Sequence, residues 1–155
     1  MRSKLLAIAA FTVFGIARAE AALPLPDGAV VLPATLRAQL LGQCSRGAPS
    51  PGEAGWQPGA ADIAALEAAL PAALAADPHH SAYLARAPVG WRRQYVGIVR
   101  HGQRFIYGNF FMRGLGGGTW EREPVIVCDG GTSFFGVDYD AEAGRIVGLA
   151  FNGVG

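Results

Sequence analysis

The stretch WRRQYVGIVRHGQRFIYGNFFM, residues 91–112, decides the fold because it contains two β-rich runs joined by a turn signal. Residues 91–100 and 104–112 follow the period of two that is typical of strands. Residues 101–103, His-Gly-Gln, are the tight-turn signal between them. The stretch therefore predicts a β-hairpin.

Three further segments toward the C-terminus also predict strands. Residues 123–129, EPVIVCD, are rich in Val and Ile, which indicates a third strand buried on both faces. Residues 132–139 and 145–151 predict a second hairpin, whose turn ends in Gly144, a residue suited to positive φ. The pattern thus predicts about five consecutive antiparallel strands.

Residues 60–76, AADIAALEAALPAALAA, predict the main helix because apolar side chains recur at spacings of three and four. These side chains are Ile63, Leu66, Leu70 and Leu74. A shorter helix is predicted at residues 35–41, where Gly42 supplies the stop signal.

Helices that precede a run of strands predict an α+β fold. The main helix is expected to pack on one face of a roughly five-stranded antiparallel sheet, which is the cystatin-like or NTF2-like architecture. We expect a signal peptide at residues 1–21, an N-terminal arm with a short helix and a loop at 22–59, and the helix and sheet at 60–155. The arm and the helix–sheet part are expected to form one domain.

The first residues have the pattern of a secretory signal. Arg2 and Lys4 supply the positive start, residues 5–16 are apolar, and cleavage sites with small residues follow Ala19 and Ala21. The apolar run is too short for a membrane span, and no later run is longer. We therefore predict an exported protein, periplasmic or secreted, without a membrane span.

The charge balance argues against a nucleic-acid partner. The formal net charge of the whole chain is +1. Removing residues 1–19 takes away three cations and leaves about −2, and removing Glu20 as well gives about −1. Nucleic-acid binding requires a strongly basic face, which a near-neutral chain does not provide.

Cys44 and Cys128 are the only two cysteines. In an oxidising compartment, one disulfide between them is the expected state, and two free thiols or pairing with another chain are the alternatives. Such a bridge would stabilise the fold by roughly 4 kcal/mol in the chain-entropy model. Cys128 as a catalytic nucleophile would need a histidine partner, and no histidine is near it in sequence.

Two patterns could suggest metal sites, and each has a simpler interpretation. The alternating acids at 138–142 resemble a calcium loop, but Ala143 and Leu149 occupy the positions that require Gly and Glu. His79 and His80 are adjacent and lack a third ligand at a familiar spacing for zinc. The favoured interpretation is a solvent-facing hairpin for the acids and a solvated loop for the two histidines, so no metal or cofactor is expected.

Several short motifs along the chain resemble a group of small exported proteobacterial proteins. The motifs are QCSR (43–46), W-x-P (56–58), L-E-x-x-L (66–70), Q-Y-x-G (94–97), VCDGG (127–131), FFGVDYD (134–140) and F-N-G (151–153). The resemblance implies a cystatin-like or other α+β domain and provides no catalytic residue. Both cysteines fall inside these motifs, which supports their pairing.

The paired phenylalanines raise the question of what covers the outer sheet face. Neighbours on a strand point to opposite faces, so one of Phe110-Phe111 and one of Phe134-Phe135 should point away from the main helix. An apolar outer face must be covered by the N-terminal arm, by a second subunit or by a ligand. The arm, held through Cys44, is the simplest cover.

Six arginines and no acidic residue lie between residues 78 and 120, whereas six acidic residues and one arginine lie between 121 and 142. The two groups either pair within the sheet or form a bipolar surface. A candidate binding surface combines aromatic and basic residues: Phe110, Phe111, Trp120, Phe134, Phe135, Arg92, Arg100 and Arg104.

Three function classes remain open. The favoured one is a non-enzymatic binding or inhibitor-type module that acts on a protein or cell-envelope partner, since no catalytic set converges. The second is a ligand-binding or enzymatic NTF2-like cone, with a pocket between helix and sheet that would be lined by Asp129, Asp138, Tyr107 and Asn109. The third is a self-associating envelope protein. A monomer or weak homodimer is expected.

Overall fold

The computed structural model describes residues 24–78 and 90–154. The predicted signal peptide and the His79-His80 pair lie outside the described residues. The described part is an α+β fold with two helices and one five-stranded mixed sheet. The elements are β1 (Ala29–Val31), α1 (Arg37–Leu41), α2 (Ala60–Ala76), β2 (Trp91–Arg100), β3 (Gln103–Met112), β4 (Phe134–Asp140) and β5 (Arg145–Phe151).

The strands lie side by side in chain order, from β1 to β5. A fully antiparallel sheet was predicted, but the sheet is mixed. Strands β2 to β5 are antiparallel neighbours, whereas β1 pairs parallel to β2, with Ala29 opposite Arg93. A parallel neighbour is reached only through a long crossover connection, and α1 and α2 lie between β1 and β2 in the chain.

The hairpin of residues 91–112 is confirmed, with a tighter turn than predicted. Strand β3 begins at Gln103, so His101 and Gly102 alone form the turn, and Arg100 lies opposite Gln103. Both turn residues have positive φ, 52° and 75°. This conformation matches the right-handed twist of the two strands that it joins.

The predicted strand at residues 123–129 is wrong, because this segment is irregular. Within it, the backbone groups of Val125 bond to side chains instead of to a neighbouring strand. The Val125 N–H donates to Gln94 Oε1 over 2.9 Å, and the Val125 carbonyl accepts from Asn109 Nδ2 over 2.9 Å. The sheet still has five strands, because the short β1 joins it and the segment 123–129 does not.

The inner sheet face packs against α2 in a closed apolar core. The predicted stripe of Ile63, Leu66, Leu70 and Leu74 is 0–1% exposed. It contacts side chains on four strands: Trp91, Tyr95, Ile106, Phe110, Phe135, Val137, Tyr139 and Ile146. The rings of Phe110 and Phe135 stack with centroids 4.6 Å apart.

One buried ion pair fixes α2 to this face. Glu67 accepts from Arg93 Nε over 2.6 Å and from Arg93 Nη2 over 3.0 Å, and Tyr95 Oη donates to the same carboxylate over 2.6 Å. Burial, with the nearby Glu67 charge, raises the pKa of Tyr95 well above its ordinary value. The hydroxyl therefore stays protonated and keeps donating to Glu67 through neutral pH.

The outer sheet face is covered by two layers of the chain itself. The arm contributes Leu32, Leu40 and Leu41, which pack on β2 and β3. Residues 113–130, here called the cover segment, place Trp120 and Val125 against the sheet. The predicted cover by the arm is thus confirmed, and the cover segment completes it.

The predicted disulfide joins these two layers. Cys44 in the arm and Cys128 in the cover segment are bonded, with Cα atoms 4.9 Å apart. Both cysteines are exposed, so Cys128 does not end a buried strand. No described helix is long and apolar enough to cross a membrane.

Candidate binding site on the outer sheet face

A cluster of five buried polar side chains lies between the outer sheet face and its cover. The members of this polar cluster are Arg46, Gln94, Tyr107, Asn109 and Asn152. The Arg46 guanidinium donates to Tyr107 Oη over 3.1 Å and to the side-chain oxygens of Asn109 and Asn152. Arg46 is only 7% exposed, and its side-chain partners in the described chain are all neutral.

The polar cluster also hydrogen-bonds the backbone of the cover segment. Gln94 Nε2 donates to the carbonyls of Trp120 and Glu123, and Asn109 Nδ2 donates to that of Val125. Asn152 Nδ2 donates to the carbonyls of Val127 and Asp129 over 2.7 and 2.9 Å. Because buried carbonyls need partners, these amides stabilise a cover that has no strand neighbours of its own.

Beside the polar cluster, the outer face opens into a cavity of about 270 Å³. Residues 47 and 49 of the arm, Tyr107, Gly136, Asp138 and residues 148–150 line it. Gly136 and Gly148 leave the sheet surface without side chains there. A Cβ on Gly136 would lie 2.3 Å from Tyr107 Oη, so only glycine permits this packing.

Asp138 lines this cavity and has one satisfied and one unsatisfied carboxylate oxygen. Its Oδ2 accepts from Arg100 Nη2 over 2.6 Å, whereas its buried Oδ1 has no hydrogen-bond partner in the described chain. Burial raises the pKa of Asp138 above its ordinary value, and the hydrogen bond and charge of Arg100 oppose this only in part. Burial likewise raises the pKa of Tyr107, against the opposing charge of Arg46.

The predicted pocket lay between α2 and the sheet, but three of its four residues lie on the outer face of the sheet. Tyr107 and Asp138 line the cavity, and Asn109 contacts Arg46 beside it. Asp129 is exposed and does not line the cavity. The stripe of α2 packs on apolar side chains of the sheet, and Arg93 and Tyr95 hydrogen-bond the Glu67 carboxylate, so the predicted pocket between helix and sheet is not where these residues meet.

The aromatic members of the predicted binding surface are core residues. Phe110 and Phe135 face α2, whereas Phe111 and Phe134 face the other way, where Trp120 packs on Phe111. All five are at most 8% exposed, because α2 covers one face and the chain's own cover lies on the other. The alternation predicted for the two phenylalanine pairs is therefore confirmed, but these rings are not an exposed surface.

The three arginines of that surface each stack on an aromatic ring. The distance from Cζ to the ring centroid is 4.9 Å for Arg92 on Trp120, 3.8 Å for Arg100 on Phe105 and 4.9 Å for Arg104 on Trp56. Arg100 also pairs with Asp138. These contacts favour pairing within the molecule over a bipolar surface.

The edge of the sheet at β5 was not singled out from the sequence. Among the described residues, β5 pairs only with β4. The Asn152 N–H donates to the Phe134 carbonyl, so the alternation of antiparallel bonds directs the N–H and C=O groups of Leu149 away from β4. The side chain of Val147 is 43% exposed beside this edge.

Among the described residues, no group of three or more His, Cys, Asp and Glu side chains could hold a metal ion. Comparisons of the chain with protein-family models, with curated proteins and with solved structures find no match.

Proposed function

We propose that the protein is an exported, non-enzymatic binding module that pairs the edge of β5 with an extended segment of a protein partner in the cell envelope. The observation that carries this proposal is that, within residues 24–78 and 90–154, β5 has a strand neighbour on one side only. Strand addition uses exposed backbone groups for affinity, and alternate side chains of the added segment for specificity.

The two edges of the sheet differ in how much pairing they offer. The β1 edge is three residues long, whereas β5 spans seven residues and its only charged side chain is Arg145 at its start. Proteins commonly protect long edges with charged residues, proline or a covering segment. A seven-residue edge whose only charge lies at its start, with an exposed Val147, therefore favours a surface that is kept for pairing.

Two further features support an exported, inhibitor-type module. The disulfide between Cys44 and Cys128 is typical of proteins outside the cytoplasm, in agreement with the predicted signal peptide. A helix that packs across the four antiparallel strands β2 to β5 supports the proposed cystatin-like architecture, to which β1 is an addition. The NTF2-like cone is less favoured because the space between α2 and the sheet is filled by side chains.

Affinity capture with three forms of the protein as bait tests the proposal. Val147→Lys adds a charge at the β5 edge, which hinders strand addition. Ile126→Lys is the matched control, because Ile126 is 38% exposed, close to the 43% of Val147, and lies in the cover segment. Envelope extract is passed over each bait, and hydrogen exchange on the resulting complex locates the protected amides.

We expect a partner that is retained by wild type and by Ile126→Lys but lost with Val147→Lys, together with protection of the Leu149 amide. A partner that all three forms retain equally would show that the edge is not the interface. Light scattering tests the self-association alternative, since a wild-type dimer that Val147→Lys dissociates would identify a second copy as the occupant.

A further inference from the structure

We propose that the disulfide between Cys44 and Cys128 is a redox switch, which a dithiol reductant opens to release the end of β5 while α2 stays packed on the sheet. The observation that carries this proposal is a convergence of hydrogen bonds. Residues next to each cysteine bond Asn152 and Gly153, the two residues that follow β5. The switch stands on these contacts, and only its effect on pairing at the β5 edge rests on the proposed function.

The residues on either side of Cys128 hold the side chain of Asn152. Its Nδ2 donates to the Val127 carbonyl over 2.7 Å and to the Asp129 carbonyl over 2.9 Å. Its backbone N–H donates to the Phe134 carbonyl over 3.0 Å. Asn152 therefore connects the cover segment at Cys128 with the start of β4.

The two residues that follow Cys44 hold the same end of β5. The Ser45 carbonyl accepts from the Gly153 N–H over 3.3 Å. The Arg46 guanidinium donates to the side-chain oxygen of Asn152. The end of β5 is thus bonded to both of the chain segments that the disulfide joins.

These two segments have little regular structure of their own. Residues 42–53 of the arm and residues 121–130 of the cover segment form no helix or strand. Segments held mainly by side-chain hydrogen bonds open at lower free energy than a packed core. The apolar stripe of α2 packs on the opposite face of the sheet and includes none of the residues that bond the end of β5. Reduction is therefore expected to release this end before it affects α2.

The disulfide is placed where a reductant can attack it. Both cysteines are exposed, and exposed disulfides are the labile ones. A thiolate of a thioredoxin-class dithiol protein attacks one sulfur, and the other cysteine leaves as a thiolate. The second thiol of the reductant then displaces the first cysteine from the mixed disulfide. Cys44 and Cys128 gain two electrons and two protons, and the dithiol loses both as it becomes a disulfide.

Release of this end affects the proposed interface directly. Leu149 presents its backbone groups at the β5 edge and lies three residues before Asn152. A strand whose end is held offers these groups in a fixed position, whereas a released strand must be ordered when the partner binds. The oxidised protein is therefore the form that pairs, and reduction weakens pairing.

Hydrogen exchange on oxidised and dithiothreitol-reduced wild type tests the switch without any partner. Thiol titration in the absence of denaturant should find both cysteines free after reduction. We expect the Asn152 and Gly153 amides to exchange roughly tenfold faster or more in the reduced protein. The amides of α2 and β3 should exchange at unchanged rates, and reoxidation with glutathione disulfide should restore the slow exchange.

Two variants test whether Asn152 transmits the effect. Asn152→Ala removes the bonds to Val127 and Asp129, so Gly153 should exchange fast even when the disulfide is intact, and reduction should add little. Gln43→Ala is the matched control. Gln43 precedes Cys44, but its amide bonds the carbonyls of residues 40 and 125 instead of the end of β5. Reduction should accelerate Gly153 in Gln43→Ala as in wild type.

Three results would overturn the switch. The first is a disulfide that dithiothreitol cannot reduce in the folded protein, and the second is unchanged exchange at Gly153 after reduction. The third is equal acceleration in α2, which would make the disulfide a support of the whole fold. Exchange without a partner gives these results whether or not the β5 edge binds one. In affinity capture, the reduced bait should retain roughly tenfold less partner than the oxidised bait. Equal retention by the two baits would refute control of the edge.

Discussion

The two faces of the sheet are built by different means. On the inner face, α2 packs through a regular apolar stripe, and one buried ion pair between Glu67 and Arg93 fixes its position. On the outer face, the arm and the cover segment have little regular structure, and side-chain amides, Arg46 and a disulfide hold them. The described inner face is therefore filled by packed side chains, whereas the outer face combines a cavity with unsatisfied polar groups.

This difference suggests that the outer cover can open while the inner core stays folded. Segments with few buried apolar contacts and many side-chain hydrogen bonds open at lower free energy than a packed core. Four variants test the comparison, in order of expected effect.

The largest effect is expected from Phe110→Ala on the inner face. Phe110 is fully buried and stacks on Phe135, so the substitution leaves a cavity in the core. We expect the free energy of unfolding to fall by about 3–5 kcal/mol, measured by urea denaturation. Leu115→Ala is the control, because Leu115 is 38% exposed and should change little. A loss below about 1 kcal/mol for Phe110→Ala would mean that the inner face is not the main core.

Removal of the disulfide by Cys44→Ser with Cys128→Ser should come next. The loss of loop constraint is expected to lower the free energy of unfolding by about 2–4 kcal/mol. Hydrogen exchange should rise in the arm and cover segment and stay low in α2, since the bridge joins only the outer layers. Equal acceleration in α2 would show that the two faces open together and would break the comparison.

Arg46→Leu should have a smaller effect, confined to the outer face. It leaves the Asn109 and Asn152 side-chain oxygens without the donor that they share, although it also removes a buried charge. We expect a loss of about 2 kcal/mol, with amides near Val125 and Val127 exchanging faster. Chemical denaturation and hydrogen exchange together check this. An unchanged exchange rate at these amides would assign Arg46 no role in holding the cover segment.

The smallest effect, of opposite sign, is expected from Asp138→Asn. Burial raises the pKa of Asp138 in the folded state, so its stabilising contribution is present at low pH and is lost as pH rises from about 3.8 through that raised pKa. At neutral pH the ionised carboxylate thus opposes folding, and the variant should melt at the same or slightly higher temperature. Thermal unfolding from pH 3 to 8 should show the difference growing across that window. A variant that melts lower at neutral pH would mean that the Arg100 pair outweighs burial.

Much of the inner face could be predicted from the sequence, because its determinants are local. The spacing of Ile63, Leu66, Leu70 and Leu74 predicts the buried side of α2, and the hairpin follows from two β-rich runs around His101. These signals act over a few residues, so tertiary contacts do not overrule them.

The outer face depends on partners that are distant in sequence. Residues 123–129 have strand-like composition, but side chains of β2 and β3, instead of a neighbouring strand, hydrogen-bond the backbone of Val125. Arg46 joins Asn109 and Asn152 across the whole chain, and no local pattern marks it as buried. The cavity also depends on residues that are distant in sequence. Gly136 is packed against Tyr107 and Gly148 against Asp138, and no local pattern predicts either contact.

The position of the disulfide also bears on the order in which the molecule assembles. Strands β2 to β5 pair with their neighbours in the chain, and such local contacts form early in folding. Cys44 and Cys128 are 84 residues apart, so we expect the arm to reach Cys128 after the sheet has formed. Both cysteines are exposed, so an oxidoreductase can reach them at that late stage. Oxidation is therefore expected to seal a chain that has already folded, instead of guiding it there.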